Sequence, residues 1–352
     1  MEVDRVETHD PSLVLSFLES MGLGPVTHSQ QGDIAVGLLI GARGCAQLGG
    51  LSLPGPSPTG VPECVAVAYR RGDALAVGTS GGAAVGEWST SWTDDEHGTA
   101  VEAVRTAIAR GDVYQANVVG HRWASCTGDP RTLGEAVARL PGAAYGGMVG
   151  GREWVVASAS PEQLVRVEGS RVTTVPIKGT ATDRQALLGS AKDRAEHVMI
   201  VDLERNDLAR VTEAGTVVVE ELYALSEWAG LWHASSVVAG ELTEGVTTPD
   251  VLRALLPGGS VTGAPKHAAC GLLADLEPVG RGPAMGAFGF VWPGGLDLGL
   301  TIRTVAIADG RVHLWAGGGI TWGSLPATEV AEAHAKAAPV QAALAQVRPD
   351  SS

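Results

Sequence analysis

Hydrophobic and polar positions along the chain keep two different periods. Ile34-Ala35-Val36-Gly37-Leu38-Leu39-Ile40 and Ala74-Leu75-Ala76-Val77 are short apolar runs bounded by Gly, Pro and Ser, the pattern of strands. Asp112-Val113-Tyr114-Gln115-Ala116-Asn117-Val118-Val119 alternates, which predicts a strand with Gln115 and Asn117 on one face. Trp154-Val155-Val156-Ala157 and Val172-Thr173-Thr174-Val175 continue the strand signal. Ala100, Val101, Val104 and Ile108 recur at helical spacing, behind the acidic turn Asp94-Asp95-Glu96 and before Gly111, and predict a helix over about 95–110. Further helices are predicted over about 184–208, 248–256, 264–275 and 326–347. No internal repeat or low-complexity linker interrupts these segments, so one cooperative unit of mixed sheet and outer helices is expected. Residues 1 to about 90 hold strand-like runs but no chemical motif.

Composition adds boundaries to this picture. With 352 residues, 45% hydrophobic and 18% charged, the chain can bury a large core and belongs with soluble globular proteins. No run approaches the roughly 18 apolar residues of a membrane span. The first residues, Met1-Glu2-Val3-Asp4, have no basic-then-apolar leader, so the expected location is the cytoplasm, with no membrane partner. Cys45, Cys64, Cys126 and Cys270 are scattered without a CxxC pair, which argues against structural zinc and disulfides. A net charge of -14 with no Lys/Arg cluster among aromatics argues against nucleic acid. An anionic small substrate would need a local positive pocket or a metal.

Three chemical signals stand out. Lysine is scarce: only Lys178, Lys192, Lys266 and Lys336 occur, beside 21 arginines. Arginine serves wherever a fixed charge suffices, whereas a lysine can lose its proton and act as nucleophile or base. Lys178 lies in Val175-Pro176-Ile177-Lys178-Gly179-Thr180, where an apolar approach depresses its pKa and a turn holds the amine. The carboxylates give the second signal, because Asp193 with Glu196 and Glu329 with Glu332 are each three apart on a predicted helix. Two such faces brought together would make an all-oxygen cage suited to Mg²⁺, although solvated helix faces would show the same spacing. The third signal is the glycine turns. Pro257-Gly258-Gly259-Ser260-Val261-Thr262-Gly263-Ala264-Pro265-Lys266 and Ala316-Gly317-Gly318-Gly319-Ile320 can offer backbone N–H groups and Thr262 to an anion. Neither turn matches a nucleotide-phosphate loop. Arg303, in Leu300-Thr301-Ile302-Arg303-Thr304, is a charge in an apolar strand and needs a carboxylate partner.

Taken in order, the residues resemble one family. Tyr114-Gln115-x-Asn117, Ser160-Pro161-Glu162, Pro176-Ile177-Lys178-Gly179-Thr180, Asp193-Arg194-Ala195-Glu196-His197, Trp232-His233, Gly259 to Lys266, Leu276-Glu277-Pro278, Ile302-Arg303-Thr304, Ala316 to Gly319 and Glu329-x-x-Glu332-x-x-x-Lys336 are similar to the chorismate-utilising enzymes. The likeness runs from about 95 to 342. It implies an α+β fold, a large α/β sandwich of two packed antiparallel sheets with outer helices. The catalytic domain is expected over 91–345, with residues 1–90 as a short variable region packed on it. Chorismate carries two carboxylates, which gives the glycine turns, Arg303 and the cage a common purpose.

The resemblance also implies roles. Members that activate water place a lysine where this chain has Gln115, and glutamine cannot take that proton. Anthranilate synthases usually have alanine at the position of Lys178, while aminodeoxychorismate synthases have lysine, whose amine adds at C2 before ammonia enters at C4. Lys178 therefore groups the chain with the second set, which serves p-aminobenzoate and folate synthesis. By the same resemblance Glu162 is the general acid and His233 lies close by. Glu196 and Glu332 hold Mg²⁺ with Asp193 and Glu329 behind waters, and Gln115, Thr262, Gly263, Arg303, Gly317, Gly319 and Lys336 receive substrate. Thr180-Ala181-Thr182-Asp183 and Ala284 depart from the family pattern, so altered substrate contacts are expected, and a catalytically silent chorismate-binding homologue stays as an alternative beside anthranilate synthase component I. None of the four cysteine contexts resembles a glutamine amidotransferase nucleophile, so ammonia is expected from a separate glutaminase subunit.

Overall fold

Two antiparallel sheets carry most of the chain in the computed structural model, which describes residues 1–24, 33–51, 55–70, 72, 81–181, 183–228 and 231–349. The 74–77 run lies outside the described residues, as do the side chains of Thr180, Asp193 and its neighbours 191 and 192. The first sheet has ten strands, in the order Glu2–Thr8, Cys64–Arg70, Ile34–Ile40, Ala287–Trp292, Gly295–Leu300, Gln163–Glu168, Arg171–Val175, Leu231–Glu241 and Ile177–Ala181, with Val218–Trp228 also paired to Leu231–Glu241. The second has seven strands, in the order Gly263–Ala264, Gln115–Gly128, Arg311–Ile320, Thr304–Ala308, Trp154–Ser160 and Tyr145–Gly150, with Ala83–Thr90 paired to Gln115–Gly128. The first sheet is continuous with the early part of the chain, since Ile34–Ile40 pairs with Ala287–Trp292 from Val36↔Val291 to Ile40↔Ala287.

The two sheets bury their facing sides in one apolar cluster. Val36, Leu38, Leu164, Val165, Leu296 and Leu298 come from the first sheet, and Val119, Trp154, Val156, Ala306 and Trp315 from the second. Each valine or leucine among them contributes roughly 1.5–3 kcal/mol of burial. Helices Pro130–Ala138 and Pro326–Ala345 cover the outer face of the second sheet through Leu133, Val137, Val340 and Leu344 against Val155, Ile307 and Leu314. Helices Asp94–Arg110 and Lys266–Leu276 cover the start of strand Gln115–Gly128. No helix among the described residues is long and apolar enough to cross a membrane.

Local chemistry fixes the element ends. Thr93 and Glu96 form a reciprocal capping box at the start of helix Asp94–Arg110, and Gly111 closes it at φ 82°. Two boundaries differ from the periodic pattern. The helix expected over 184–208 is two, Arg184–Gly189 and Ala191–Leu208, because Ser190 is extended and caps the first. The helix expected from 264 begins at Lys266, because Gly263 and Ala264 form a short strand against Ala116 and Gln115.

The chain passes from one sheet to the other at two points that matter. Pro161-Glu162 links strand Trp154–Ser160 of the second sheet to Gln163–Glu168 of the first. Thr301-Ile302-Arg303 links Gly295–Leu300 of the first to Thr304–Ala308 of the second. Arg303 adopts φ 51°, a left-handed backbone that a long side chain rarely takes and that turns the chain sharply.

Candidate active site

These crossovers open on a cavity of about 380 Å³. Glu162, Lys178, Glu196, His233, Arg303, Gly317, Gly319, Glu329, Glu332 and Lys336 all line it, joined by Ser260, Met285 and Trp315. Residues from nine separate stretches of sequence are therefore gathered in one place. Glu162 comes from a crossover, Lys178 and His233 from paired strands at the edge of the first sheet, and the glycines from strand Arg311–Ile320. The last three ionic side chains come from helix Pro326–Ala345.

Lys178 is half-buried, and its Nζ donates to the carbonyl of Ser260 at 3.4 Å. Burial pushes its pKa down, Lys336 adds repulsion, and Glu162, Glu196 and Glu332 oppose both. The amine also lies against Gly319. A Cβ there would sit 3.0 Å from Lys178 Nζ and 2.5 Å from Gln115 Nε2, so only glycine leaves room for both tips. Gln115 is fully buried and neither of its amide atoms has a hydrogen-bond partner among the described residues.

Glu162 is 5% exposed, and Ser260 Oγ donates to its Oε1 at 2.8 Å. Desolvation raises its pKa, against the opposing effects of the Ser260 hydrogen bond, Lys178 and Lys336. A buried carboxyl with a raised pKa beside a half-buried amine with a lowered one is the arrangement that favours a proton on the first and not on the second. His233 is also buried, and desolvation, then Arg303 and Lys336, lower its pKa to about 4, so its ring is neutral at pH 7. Desolvation lowers Arg303 to about 10, with Glu162 opposing, and it remains charged at neutral pH.

The carboxylates of helix Pro326–Ala345 converge on the glycine strand. A Cβ on Gly318 would lie 3.4 Å from Glu329 Oε2, 3.6 Å from Glu332 Oε1 and 3.6 Å from Lys336 Nζ. Lys336 pairs with Glu332 at 2.6 Å and donates to the Gly317 carbonyl at 3.0 Å. Glu196, which lines the cavity, accepts from Thr321 Oγ1 at 3.0 Å. Among the described residues no three His, Cys, Asp or Glu are packed closely enough to hold an ion by themselves. Mg²⁺ asks for less, typically one or two carboxylates with waters and substrate oxygens completing the shell. The convergence of Glu329 and Glu332, with Glu196 facing the same cavity, fits that requirement. Asp193's side chain lies outside the described atoms.

Thr262 and Gly263 sit behind the cavity wall. The Thr262 hydroxyl closes its own turn on Gly258 O at 2.8 Å, and Gly263 is strand-paired to Ala116. Three further features were given no role in the sequence reading. Ser260 carried no assigned role, although it touches both Glu162 and Lys178. Arg281 and Glu277, each side chain 2% exposed, form a buried ion pair at 2.6 Å, and Arg281 donates to Val261 O and Asn117 O. Glu204 and Asp207 are buried beside Lys266, whose Nζ lies 2.6 Å from Asp207 Oδ2. Arg281 could have been suspected on the same ground as Arg303, a charge within an apolar stretch.

Comparison with known proteins agrees with this geometry. The chain belongs to the chorismate-binding enzyme family, whose model matches residues 64–342. It is 40% identical to anthranilate synthase component 1 of Streptomyces coelicolor over 259 residues, which is 70% of this chain and 50% of that protein. It is 36% identical to aminodeoxychorismate synthase component 1 of Salmonella typhimurium over 260 residues, 71% of this chain and 57% of that protein. The matches thus span little more than half the length of these relatives. In three dimensions the chain is similar to anthranilate synthase component I from Streptococcus pneumoniae, with TM-score 0.83, 25% identity, and coverage of 97% of this chain and 90% of the other. The two-sheet α+β fold is that of the family.

Proposed function

We propose that this chain is the chorismate-aminating component of an aminodeoxychorismate synthase, forming 4-amino-4-deoxychorismate from chorismate and ammonia. The observation that carries the reading is Lys178, an amine lowered in pKa and placed 3.4 Å from Ser260 O, on the other side of which stands the carboxyl of Glu162. The relatives' names do not separate the two aminating activities, because both occur at similar identity. The residues favour C4 chemistry.

In this reading the neutral Lys178 amine adds at C2 of the ring. The ring double bond shifts and the C4–O bond breaks, and Glu162 protonates the departing hydroxyl so that it leaves as water. Ammonia then bonds to C4, the double bond shifts back, and the C2–N bond breaks to return Lys178 as a free amine. The new C4 ammonium gives its extra proton to the Glu162 carboxylate. Arg303, Lys336 and the amides of Gly317 and Gly319 are placed to receive the substrate's carboxylates, and neutral His233 is available as a hydrogen-bond partner. Glu196, Glu329 and Glu332, with Asp193, would hold Mg²⁺, which supplies a fixed positive charge for a substrate carboxylate. The expected setting is cytoplasmic, with ammonia delivered by a separate glutamine amidotransferase subunit.

Anthranilate synthase component I is the second reading, favoured by the 40% identity to the Streptomyces coelicolor protein. An adduct experiment tests the first. Chorismate supplied without ammonia should leave chorismate minus water on Lys178, detected by peptide mass spectrometry. Turnover of chorismate with no such adduct on the Lys178 peptide would overturn the lysine mechanism.

A further inference from the structure

The proposed acid and the proposed amine meet on one residue, Ser260, to which the sequence assigned no role. Ser260 is 6% exposed. Its hydroxyl donates to Glu162 Oε1 at 2.8 Å, while its carbonyl accepts from Lys178 Nζ at 3.4 Å. The segment that carries it is held from three sides. Arg281 grips Val261 O at 2.7 Å and Asn117 O at 2.6 Å, and is itself held by both oxygens of Glu277 at 2.8 Å and 2.6 Å. Glu277 also accepts the Val119 N–H at 3.1 Å, which ties the segment to strand Gln115–Gly128. On the far side helix Ala191–Leu208 presses on Gly259, where a Cβ would stand 2.5 Å from Leu203 Cδ2 and 3.2 Å from Glu204 Oε1. A buried ion pair with its donors so fully used fixes geometry more than it adds stability.

We propose that Ser260 is a positioning residue that sets the proton donor and the amine nucleophile in one register, its hydroxyl orienting Glu162 and its carbonyl orienting Lys178. The inference rests on the roles given to those two residues above. With Oε1 engaged as an acceptor, the transferable proton of Glu162 is placed on Oε2. With one N–H of Lys178 bound to the carbonyl, the lone pair of the neutral amine points away from the wall.

The hydroxyl also has an electrostatic sign. Burial favours the protonated form of Glu162, as does the like charge of Glu204 beyond the segment when ionised, while Lys178, Lys336 and Arg303 favour the anion. A donated hydrogen bond joins the second group, so its removal makes Glu162 hold its proton to higher pH.

Ser260→Ala should lower kcat about ten- to a hundredfold with little change in KM, and move the basic limb of the kcat profile to higher pH. Ser260→Thr, which keeps the hydroxyl, should restore both. Carboxyl ¹³C NMR of the free protein, with Glu162 assigned by its loss in Glu162→Gln, should show the same upward shift in Ser260→Ala. This measurement decides the inference even if chorismate is not the substrate. Should Ser260→Ala fail to fold, Ser260→Cys, a weaker donor, should show a smaller shift in the same direction. An unchanged Glu162 titration in either variant, or failure of Ser260→Thr to restore it, would overturn the proposal.

Discussion

Lys178 is one of only four lysines in the chain and stands between repelling Lys336 and three attracting carboxylates, with burial tipping the balance toward a lowered pKa. Because the proposed role needs a lone pair, a fixed guanidinium cannot replace it. Lys178→Arg should lose roughly a thousandfold or more in chorismate turnover despite the retained charge. Lys178→Ala should differ, its residual product shifting toward amination at C2. Chromatography of both reactions checks this, and a full rate of 4-amination from Lys178→Ala would contradict it. Glu204 leads to a stability prediction. Burial, then Asp207, raises its pKa to about 8, against Lys266, so the folded protein keeps a proton that the unfolded chain releases near 4.5. The folded state binds more protons across that window, and stability therefore falls as pH rises from about 4.5 to 8. Glu204→Gln should remove that loss, stabilising the protein at pH 8 by on the order of a few kcal/mol and little at pH 4. Urea denaturation at the two pH values measures it, and equal effects at both would count against a buried neutral carboxyl.

Strand Arg311–Ile320 shows what an element contributes beyond its residues. Its three consecutive glycines face different neighbours, and the consequences of adding a methyl group differ accordingly. At Gly317 a Cβ would meet the Val118 carbonyl oxygen of the paired strand within 1.9 Å, and backbone cannot yield without breaking the ladder. Gly317→Ala should destabilise the protein by about 3 kcal/mol or more. At Gly319 the obstacles are the movable ends of Gln115 and Lys178. Gly319→Ala should leave the melting temperature within a few degrees while sharply lowering kcat, because the amine is displaced. Calorimetry and kinetics on the pair separate the two cases, and matched effects would argue against the assigned contacts. At this scale the sequence was most readable where elements carry their own end signals. The acidic turn Asp94-Asp95-Glu96 and Gly111 bound a helix found at Asp94–Arg110, close to the expected 95–110, and the structure adds Thr93 as its cap. Strands buried on both faces, such as Cys64–Arg70, lose the period-2 pattern and were not legible. Ser260 was missed because its partner Glu162 is 98 positions away, and a serine in a glycine turn looks like any turn residue.

For the whole molecule, the two sheets explain why the site could be read from motifs yet not from periodicity. The motif residues are spread over crossovers, strands and helices far apart in sequence, and no local period links them. Glu162 and Arg303 reach the same cavity only because both crossovers lie at one end of the sandwich. The thiols bear on the nitrogen source. Desolvation raises the pKa of Cys45, Cys64, Cys126 and Cys270 alike, so none is an activated thiolate. This chain should therefore use ammonium and not glutamine, with glutamine use appearing only when a cognate glutaminase subunit is added. Glutamine-dependent turnover by the chain alone would contradict the two-component reading. Glu332→Gln tests the Mg²⁺ assignment at the same level, and should abolish turnover with the fold intact, whereas full activity in excess chelator would refute it. The central claim, amination at C4, is tested most directly by identifying the product formed from chorismate, Mg²⁺ and an ammonium salt. The account predicts 4-amino-4-deoxychorismate as the only aminated product, and anthranilate in its place would contradict it.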